Sequence, residues 1–417
     1  MTDIHPELFN LSISKKAEPL LSAVKKHIAE NVIPWVDEYH ELRKNNEDPW
    51  SYHPRQLELI EQAKQKARDA GLWNFFLPNA KTGEGLSNLD YAYLAVELGK
   101  TPLASQTLNC AAPDTGNMEV LERVGTPEQK EQWLKPLLEG KIRSAYAMTE
   151  PDVASSDATN MELKIERDGD EYVLNGRKWW TTNVIGPKCK LMLVMGKSNP
   201  NGPRHQQHST ILVPTDTPGV TIARPLRVFG EYHSPGGEGD VIFRNVRVPV
   251  TNLILGEGRG FEIAQGRLGP GRFQYAMMFV GMAQRSLELM CDRATRRVAF
   301  GEALSKKTSV QHEIARSRCD IEQCRLLVLS AAEKMDKFGV DAARAEISML
   351  KIVAPKMCED VSSRAMQIFG GMGVCQDTPL AHIFTISRFC RIADGPDEVH
   401  QMALGKRIIQ QYAEASA

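Results

Sequence analysis

The chain has 417 residues, 42% apolar and 25% charged, with 51 lysines and arginines against 52 acids for a net charge of −1. That length predicts two or three domains, and that composition predicts globular folds with large cores. Near-neutrality argues against nucleic-acid or membrane-surface binding driven by bulk charge. No apolar run approaches the roughly 18 residues needed to cross a bilayer.

The N-terminus lacks an apolar signal core, and the final Glu-Ala-Ser-Ala is not a peroxisomal address. The expected location is cytoplasmic, or the mitochondrial matrix for a eukaryotic chain. Eight scattered cysteines without a Cys-x-x-Cys pair read as reduced, buried thiols.

Residues 1–141 read as a helical domain. Leu20, Leu21, Val24, His27, Ile28 and Val32 recur at helical spacing, and Pro34 marks a kink or an end. Further helices are predicted over 54–70 and 88–99. Thr126-Pro127-Glu128-Gln129 has a hydroxyl N-cap and a proline at the first helical position.

Residues 142–255 read as an all-β domain. Short runs at 161–165, 172–174, 190–195, 210–213 and 241–248 cluster β-branched and apolar residues. Turn signals separate them, among them Asn175-Gly176, Pro218-Gly219 and Pro235-Gly236-Gly237. In 256–417 the helical period returns. Phe273, Met277, Val280 and Ala283 form one stripe, and Ile314, Ile321, Cys324, Val328, Ala332, Met335 and Phe338 another. A further helix is predicted over 341–369, with Pro355 bending it. Long amphipathic helices of this kind form bundles.

Three segments stand out. Gln367-Ile368-Phe369-Gly370-Gly371-Met372-Gly373 is a glycine-dense turn after an apolar helix, able to bring backbone N–H groups against a phosphate. Asp394-Gly395-Pro396 sets a carboxylate on a backbone that must turn sharply. Adjacent Trp179 and Trp180 cannot both face inward on a regular strand, so one must look toward a second surface. His205, His208 and His233 read as solvated loop residues, and no metal site is expected of them. No Walker-type loop or strand-linked Gly-x-Gly-x-x-Gly occurs.

Tyr146-Ala147-Met148-Thr149-Glu150-Pro151, followed at this separation by Arg391-Ile392-Ala393-Asp394-Gly395-Pro396-Asp397-Glu398-Val399-His400, resembles the acyl-CoA dehydrogenase family of flavoproteins. The later string is similar to a branch of that family with an aspartate base. The resemblance implies an α+β multidomain fold: a helical N-terminal domain, a central β-barrel-like domain and a C-terminal four-helix bundle. It also implies FAD. Tyr146, Met148 and Thr149 match the flavin-edge segment, and Trp180 and Thr182 match residues covering one flavin face, with Thr181 between them. Arg297 and Phe300 in Arg297-Val298-Ala299-Phe300-Gly301 match an element that reaches the pyrophosphate, usually from a neighbouring subunit. Gln367, Gly370 and Gly371 match the adenosine-side contacts, and Gly395 also joins the cofactor set. Where the family has a glutamine seven residues after the Phe-Gly glycine, this chain has Thr308, with Gln311 one turn on.

Removing the α-proton of a thioester needs a positioned base, donors to the thioester oxygen and a hydride acceptor near the β-carbon. The resemblance places Asp394 as that base, ahead of Asp397 and Glu398, which suit the first turn of the last helix. Arg272 matches a substrate-side arginine opening a bundle helix. Ser156 matches a serine on the pantetheine arm, although one extra residue separates it from Glu150-Pro151. The implied activity is oxidation of a fatty acyl-CoA to the trans-2-enoyl-CoA. The resemblance further implies that electrons pass to an electron-transferring flavoprotein and that the enzyme is a homodimer or homotetramer. The competing readings are a flavin oxidase of the same fold, of the acyl-CoA oxidase or nitroalkane oxidase kind, and an inactive acyl-CoA-binding homologue.

Overall fold

The computed structural model describes residues 10–44, 46–48, 50–101, 103–232 and 237–415. His233 and the Pro235-Gly236 part of the predicted turn lie outside them. In chain order the first elements are α1 (Ala17–Asn31), α2 (Ile33–Lys44), α3 (Pro54–Asp69), α4 (Asn88–Lys100), α5 (Ala104–Thr107) and α6 (Asp114–Val124). The one-turn helices α7 (Pro127–Gln129) and α8 (Lys135–Leu138) flank a π-helical stretch, Lys130–Leu134. The strands are β1 (Arg143–Ala147), β2 (Lys164–Asp168), β3 (Glu171–Thr182), β4 (Cys189–Lys197), β5 (His208–Pro214), β6 (Val220–Pro225), β7 (Arg227–Val228), β8 (Glu231–Tyr232) and β9 (Glu238–Pro249). Then come α9 (Gly260–Arg296), the hairpin β10 (Val298–Ala299) and β11 (Glu302–Ala303), α10 (Thr308–Phe338), α11 (Arg344–Phe369), α12 (Leu380–Cys390) and α13 (Asp397–Ala415).

These elements fall into two compact units that do not follow chain order. One holds the described parts of Met1–Ile33, Pro78–Ser105 and Arg272–Ala417; the other holds Pro34–Leu77 and Gln106–Gly271.

Within the second unit the sheet runs β1-β4-β2-β3-β9-β6, with β5 paired to β4, and it curls into a half-barrel. Strand β4 pairs in parallel with β1 and antiparallel with β5. Its Leu191-Met192-Leu193-Val194-Met195 run is buried throughout, which is why that stretch is continuously apolar instead of alternating. Ile165, Leu174, Val194, Ile211, Val241, Phe243 and Val248 form the packed layer. Each such side chain contributes about 1.5–3 kcal/mol by leaving water. Helices enter this unit through specific caps. The His53 imidazole and the Thr126 hydroxyl each accept a backbone N–H, and Gln56 and Gln129 complete reciprocal boxes.

In the first unit α11 packs against α10, α12 and α13. The predicted α10 stripe is buried from Ile321 to Met335, whereas Phe338 at its end is exposed. Pro355 lies inside α11 and Pro270 inside α9. Proline lacks the N–H that the carbonyl four residues earlier would accept, so each helix forgoes a bond there.

Candidate active site

The turn between α12 and α13 displays Asp394. Its backbone is left-handed at φ 56°, and Gly395 follows at φ 99°. The first value is costly for a residue with a Cβ, and aspartate is among the few side chains that tolerate it. A Cβ on Gly395 would lie 2.8 Å from His400 Nε2. Asp394 is half-buried, and its carboxylate accepts no hydrogen bond among the described residues.

Its main chain, in contrast, is held at several points. Arg272 Nε donates to the Asp394 carbonyl at 2.9 Å, and His400 Nε2 lies 3.3 Å from the same oxygen. Lys351 Nζ donates to the carbonyls of Gly395, at 3.1 Å, and Cys390. Burial, with the Arg272 charge beside it, lowers the His400 pKa to about 4, so the ring is neutral. It therefore donates to the carbonyl only as the Nε2–H tautomer. Burial also lowers the Lys351 and Arg272 pKa values.

Of the neighbouring acids, one is committed elsewhere and the other faces solvent. Asp397 is buried at the start of α13 and pairs with Arg391 Nε at 2.7 Å, while Arg391 also reaches Glu359 at 3.2 Å. Glu398 is exposed. Arg272 is not a first-turn residue as expected, because α9 begins at Gly260 and continues through Pro270.

In the other unit, β1 carries Tyr146 into the sheet, with its ring under the Arg267 guanidinium at 4.2 Å. Burial raises the Tyr146 pKa to about 12. Met148 and Thr149, just past the strand, are half-buried. Lys178 Nζ donates to the Met148 carbonyl at 2.7 Å and Trp179 N–H to the Thr149 carbonyl at 2.9 Å.

The regular-strand premise applied to the tryptophans fails here. The β3–β9 register shifts between Lys178 and Thr181, and Trp180 takes φ 50°. The bulge leaves both indoles half-buried with ring centroids 6.0 Å apart. Thr182 is half-buried, whereas Thr181 is fully buried. Trp179 Nε1 and Thr181 Oγ1 are buried and lack hydrogen-bond partners among the described residues. Ser156 is exposed; its neighbour Ser155 closes the loop by accepting the Glu150 N–H.

The remaining predicted residues, back in the first unit, lie on open surface. Phe300 and Gly301 form the tip of the β10–β11 hairpin at φ 53° and 80°, with Phe300 98% exposed. Arg297, Gln367, Gly370 and Gly371 are also exposed. Arg293 stands over the Phe369 ring at 5.2 Å and touches the Phe369 carbonyl, between the two segments. Gln311 bonds back to the Ser305 carbonyl. His208 is not a solvated loop residue: it opens β5, is buried, and its Nε2 meets the Met161 carbonyl at 2.9 Å.

Two residues that hold the Asp394 turn had escaped notice, Lys351 on α11 and the ring of His400. A signal for the first existed: Lys351 interrupts the buried α11 stripe Ile347, Leu350, Ala354 and Cys358, where a lysine has no reason to be unless it has partners.

A helical N-terminal region, a curled half-barrel sheet and a helical C-terminal region, with a turn whose carboxylate accepts no hydrogen bond among the described residues, define a fold shared with known proteins. The chain matches the acyl-CoA dehydrogenase N-terminal domain over 14–141, the middle domain over 145–246 and the C-terminal domain over 258–409. It is 52% identical over 349 residues to the probable acyl-CoA dehydrogenase FadE2 of Mycobacterium tuberculosis, covering 84% of this chain and 85% of that protein. It is 50% identical over 405 residues to acyl-CoA dehydrogenase family member 11 of Rattus norvegicus. That match takes in 96% of this chain and 51% of the rat protein, so the chain spans about half that relative's length. A solved structure of a putative acyl-CoA dehydrogenase from Mycobacterium abscessus superposes with a TM-score of 0.92 at 47% identity. It covers 96% of this chain and all of the other. The chain belongs to the acyl-CoA dehydrogenase family.

Proposed function

We propose that this chain is an FAD-dependent acyl-CoA dehydrogenase that converts a fatty acyl-CoA to its trans-2-enoyl-CoA, with Asp394 as the base. The observation that carries the reading is the Asp394 carboxylate, which makes no hydrogen bond among the described residues while Arg272 and His400 hold its carbonyl and Lys351 holds that of Gly395. A carboxylate used only for structure has donors on its oxygens, as Asp397 and Glu150 do.

The residues present suit a flavin. The Trp179–Trp180 bulge offers uncovered indole surface, and the unpartnered Trp179 N–H and Thr181 hydroxyl are polar groups awaiting a partner. Tyr146, Met148, Thr149, Trp180, Thr181 and Thr182 are assigned to the flavin ring, together with Gly395. Arg297, Phe300, Gln367, Gly370 and Gly371 are assigned to the dinucleotide of a second copy, which accounts for a phenylalanine fully in water. Bound FAD supplies the acceptor for the hydride leaving the β-carbon, with an electron-transferring flavoprotein as the onward partner. Asp394 is assigned to take the α-proton, Arg272 to fix the turn that carries it, and Ser156 to the pantetheine arm. Exclusion of water by an acyl chain disfavours the charged form of a carboxylate and so strengthens it as a base.

The experiment is anaerobic mixing of the yellow holoenzyme with a panel of acyl-CoAs, for wild type and Asp394→Asn. Removing a general base costs about 10²–10⁴-fold in rate. The variant should therefore bind FAD and acyl-CoA and bleach at least about 100-fold more slowly. Bleaching at the wild-type rate would remove Asp394 from its role. Repeating the wild-type reaction in air separates a dehydrogenase from an oxidase.

A further inference from the structure

Lys351 projects from the third turn of α11 and is 4% exposed. Among the described residues it forms no ion pair; its hydrogen bonds go to two backbone carbonyls, those of Cys390 and Gly395. Burying an ammonium costs several kcal/mol where nothing compensates it. A leucine at this place in an apolar stripe would avoid that cost. The two carbonyls explain what the cation does instead. Cys390 is the last residue of α12, and Gly395 lies just beyond Asp394, so one ammonium joins both ends of the segment displaying the carboxylate. The Cys390 carbonyl also belongs to the electronegative end of α12, where a cation is favoured.

We infer that Lys351 is a positioning residue of the reaction: it staples the ends of the turn at 390 and 395 and thereby sets where the Asp394 carboxylate stands. This rests on Asp394 being the base. With Arg272 and His400 on the Asp394 carbonyl, Lys351 completes a three-sided hold on backbone that the left-handed φ values would otherwise let relax. Among the described residues the side-chain oxygens are thus left unengaged, while Arg272, His400 and Lys351 act on the main chain.

The test compares Lys351→Met, Lys351→Gln, Asp394→Asn and the Lys351→Met/Asp394→Asn double variant as holoenzymes. Flavin reduction is followed anaerobically with an acyl-CoA and its α-dideuterated form. For a positioning role, Lys351→Met keeps FAD content and acyl-CoA affinity within about threefold, but its limiting reduction rate falls about 10–100-fold, as displacement of a reacting group by an ångström would cause. The α-deuterium isotope effect stays equal to or above that of wild type, since proton removal is the step impaired. The double variant is no slower than Asp394→Asn alone. A folded Lys351→Met that reduces flavin at the wild-type rate overturns the inference and leaves the base intact. So does an equal fold-loss in both backgrounds, which would mean Lys351 acts elsewhere. Wild-type reduction by Asp394→Asn is a separate result that removes the base and the inference together. Should the methionine variant not fold, Lys351→Gln, which keeps one donor but no charge, carries the same comparison.

Discussion

Arg272 Nε donates to the backbone carbonyl of Asp394 at 2.9 Å, so the guanidinium engages the main chain of the proposed base and leaves its carboxylate alone. A planar fork held by Nε is not reproduced by an ammonium on a flexible stem. Arg272→Lys, although it keeps the charge, should lower the limiting rate of flavin reduction about tenfold or more. Stopped-flow reduction with saturating acyl-CoA reads this directly. Full activity in the lysine variant would show that only charge matters at this position.

Gly395→Ala should damage both stability and rate. The φ of 99° disfavours any L side chain, and the new methyl would meet the His400 ring at 2.8 Å. Backbone strain of this kind costs about 1–3 kcal/mol. Adding His400→Ala should relieve the clash but not the strain, recovering part of the lost Tm. No loss in the single variant would mean that the turn can flip without consequence.

His400 gives the turn a pH signature. The folded ring stays neutral down to about pH 4, while in the unfolded chain it takes up a proton near 6.5. Between those values the unfolded state binds a proton that the folded state refuses. The contribution to stability is therefore complete above pH 6.5 and is lost as pH falls from 6.5 to 4. Discounted for partial solvent access, it amounts to about 2 kcal/mol. His400→Gln should flatten that slope in Tm between pH 7 and 4.5. Parallel profiles for the two proteins would rule the ring out.

Phe300 should matter to assembly and not to the fold of one chain. It sits 98% exposed at the tip of a two-residue turn, so Phe300→Ser removes no packing within the chain. If the proposed second-copy role holds, retention of FAD and any self-association seen by sedimentation should both decline, with stability of the single chain within about 0.5 kcal/mol of wild type. Unchanged sedimentation and FAD content would show that the exposed ring serves neither.

The helices and the central strands were legible because their residues are buried on one face or both: α1 at Val24, His27 and Ile28, and β4 through its whole apolar run. Strand β6 was missed because it is exposed from Thr221 to Arg224 and carries no alternation. Strand β2 begins at Lys164, later than the apolar run at 161–165 implies, because Glu150 takes the Glu162 and Leu163 N–H groups before a ladder can. At the candidate site, Asp394 and its glycine were legible from the turn they require. Arg272 was named from the resemblance alone, and Lys351 showed only as a break in the apolar α11 stripe; what each holds was hidden, because their bonds reach across 122 and 44 residues to main-chain carbonyls. The Trp179–Trp180 bulge was hidden for a related reason, since a register shift is a property of two strands and not of one.

The pair Lys178–Glu150 supports the segment assigned to the flavin edge. Lys178 is 0% exposed; its Nζ reaches Glu150 Oε1 at 2.8 Å and the Met148 carbonyl at 2.7 Å. Glu150 in turn accepts the N–H groups of Glu162 and Leu163, both at 2.8 Å. Burial lowers the Lys178 pKa to about 8 against the pull of Glu150. Removing one partner of such a pair costs about 3–5 kcal/mol, because the other charge is left buried. Lys178→Met should accordingly lower Tm sharply. Combining it with Glu150→Gln, which leaves no net charge behind, should recover part of the loss. FAD affinity separates support of the fold from support of the cofactor: in the double variant the Met148 carbonyl still lacks its donor, so binding should remain weaker than wild type even where Tm recovers. Wild-type FAD affinity in that variant would show that Lys178 stabilises the sheet without shaping the segment at 148–149.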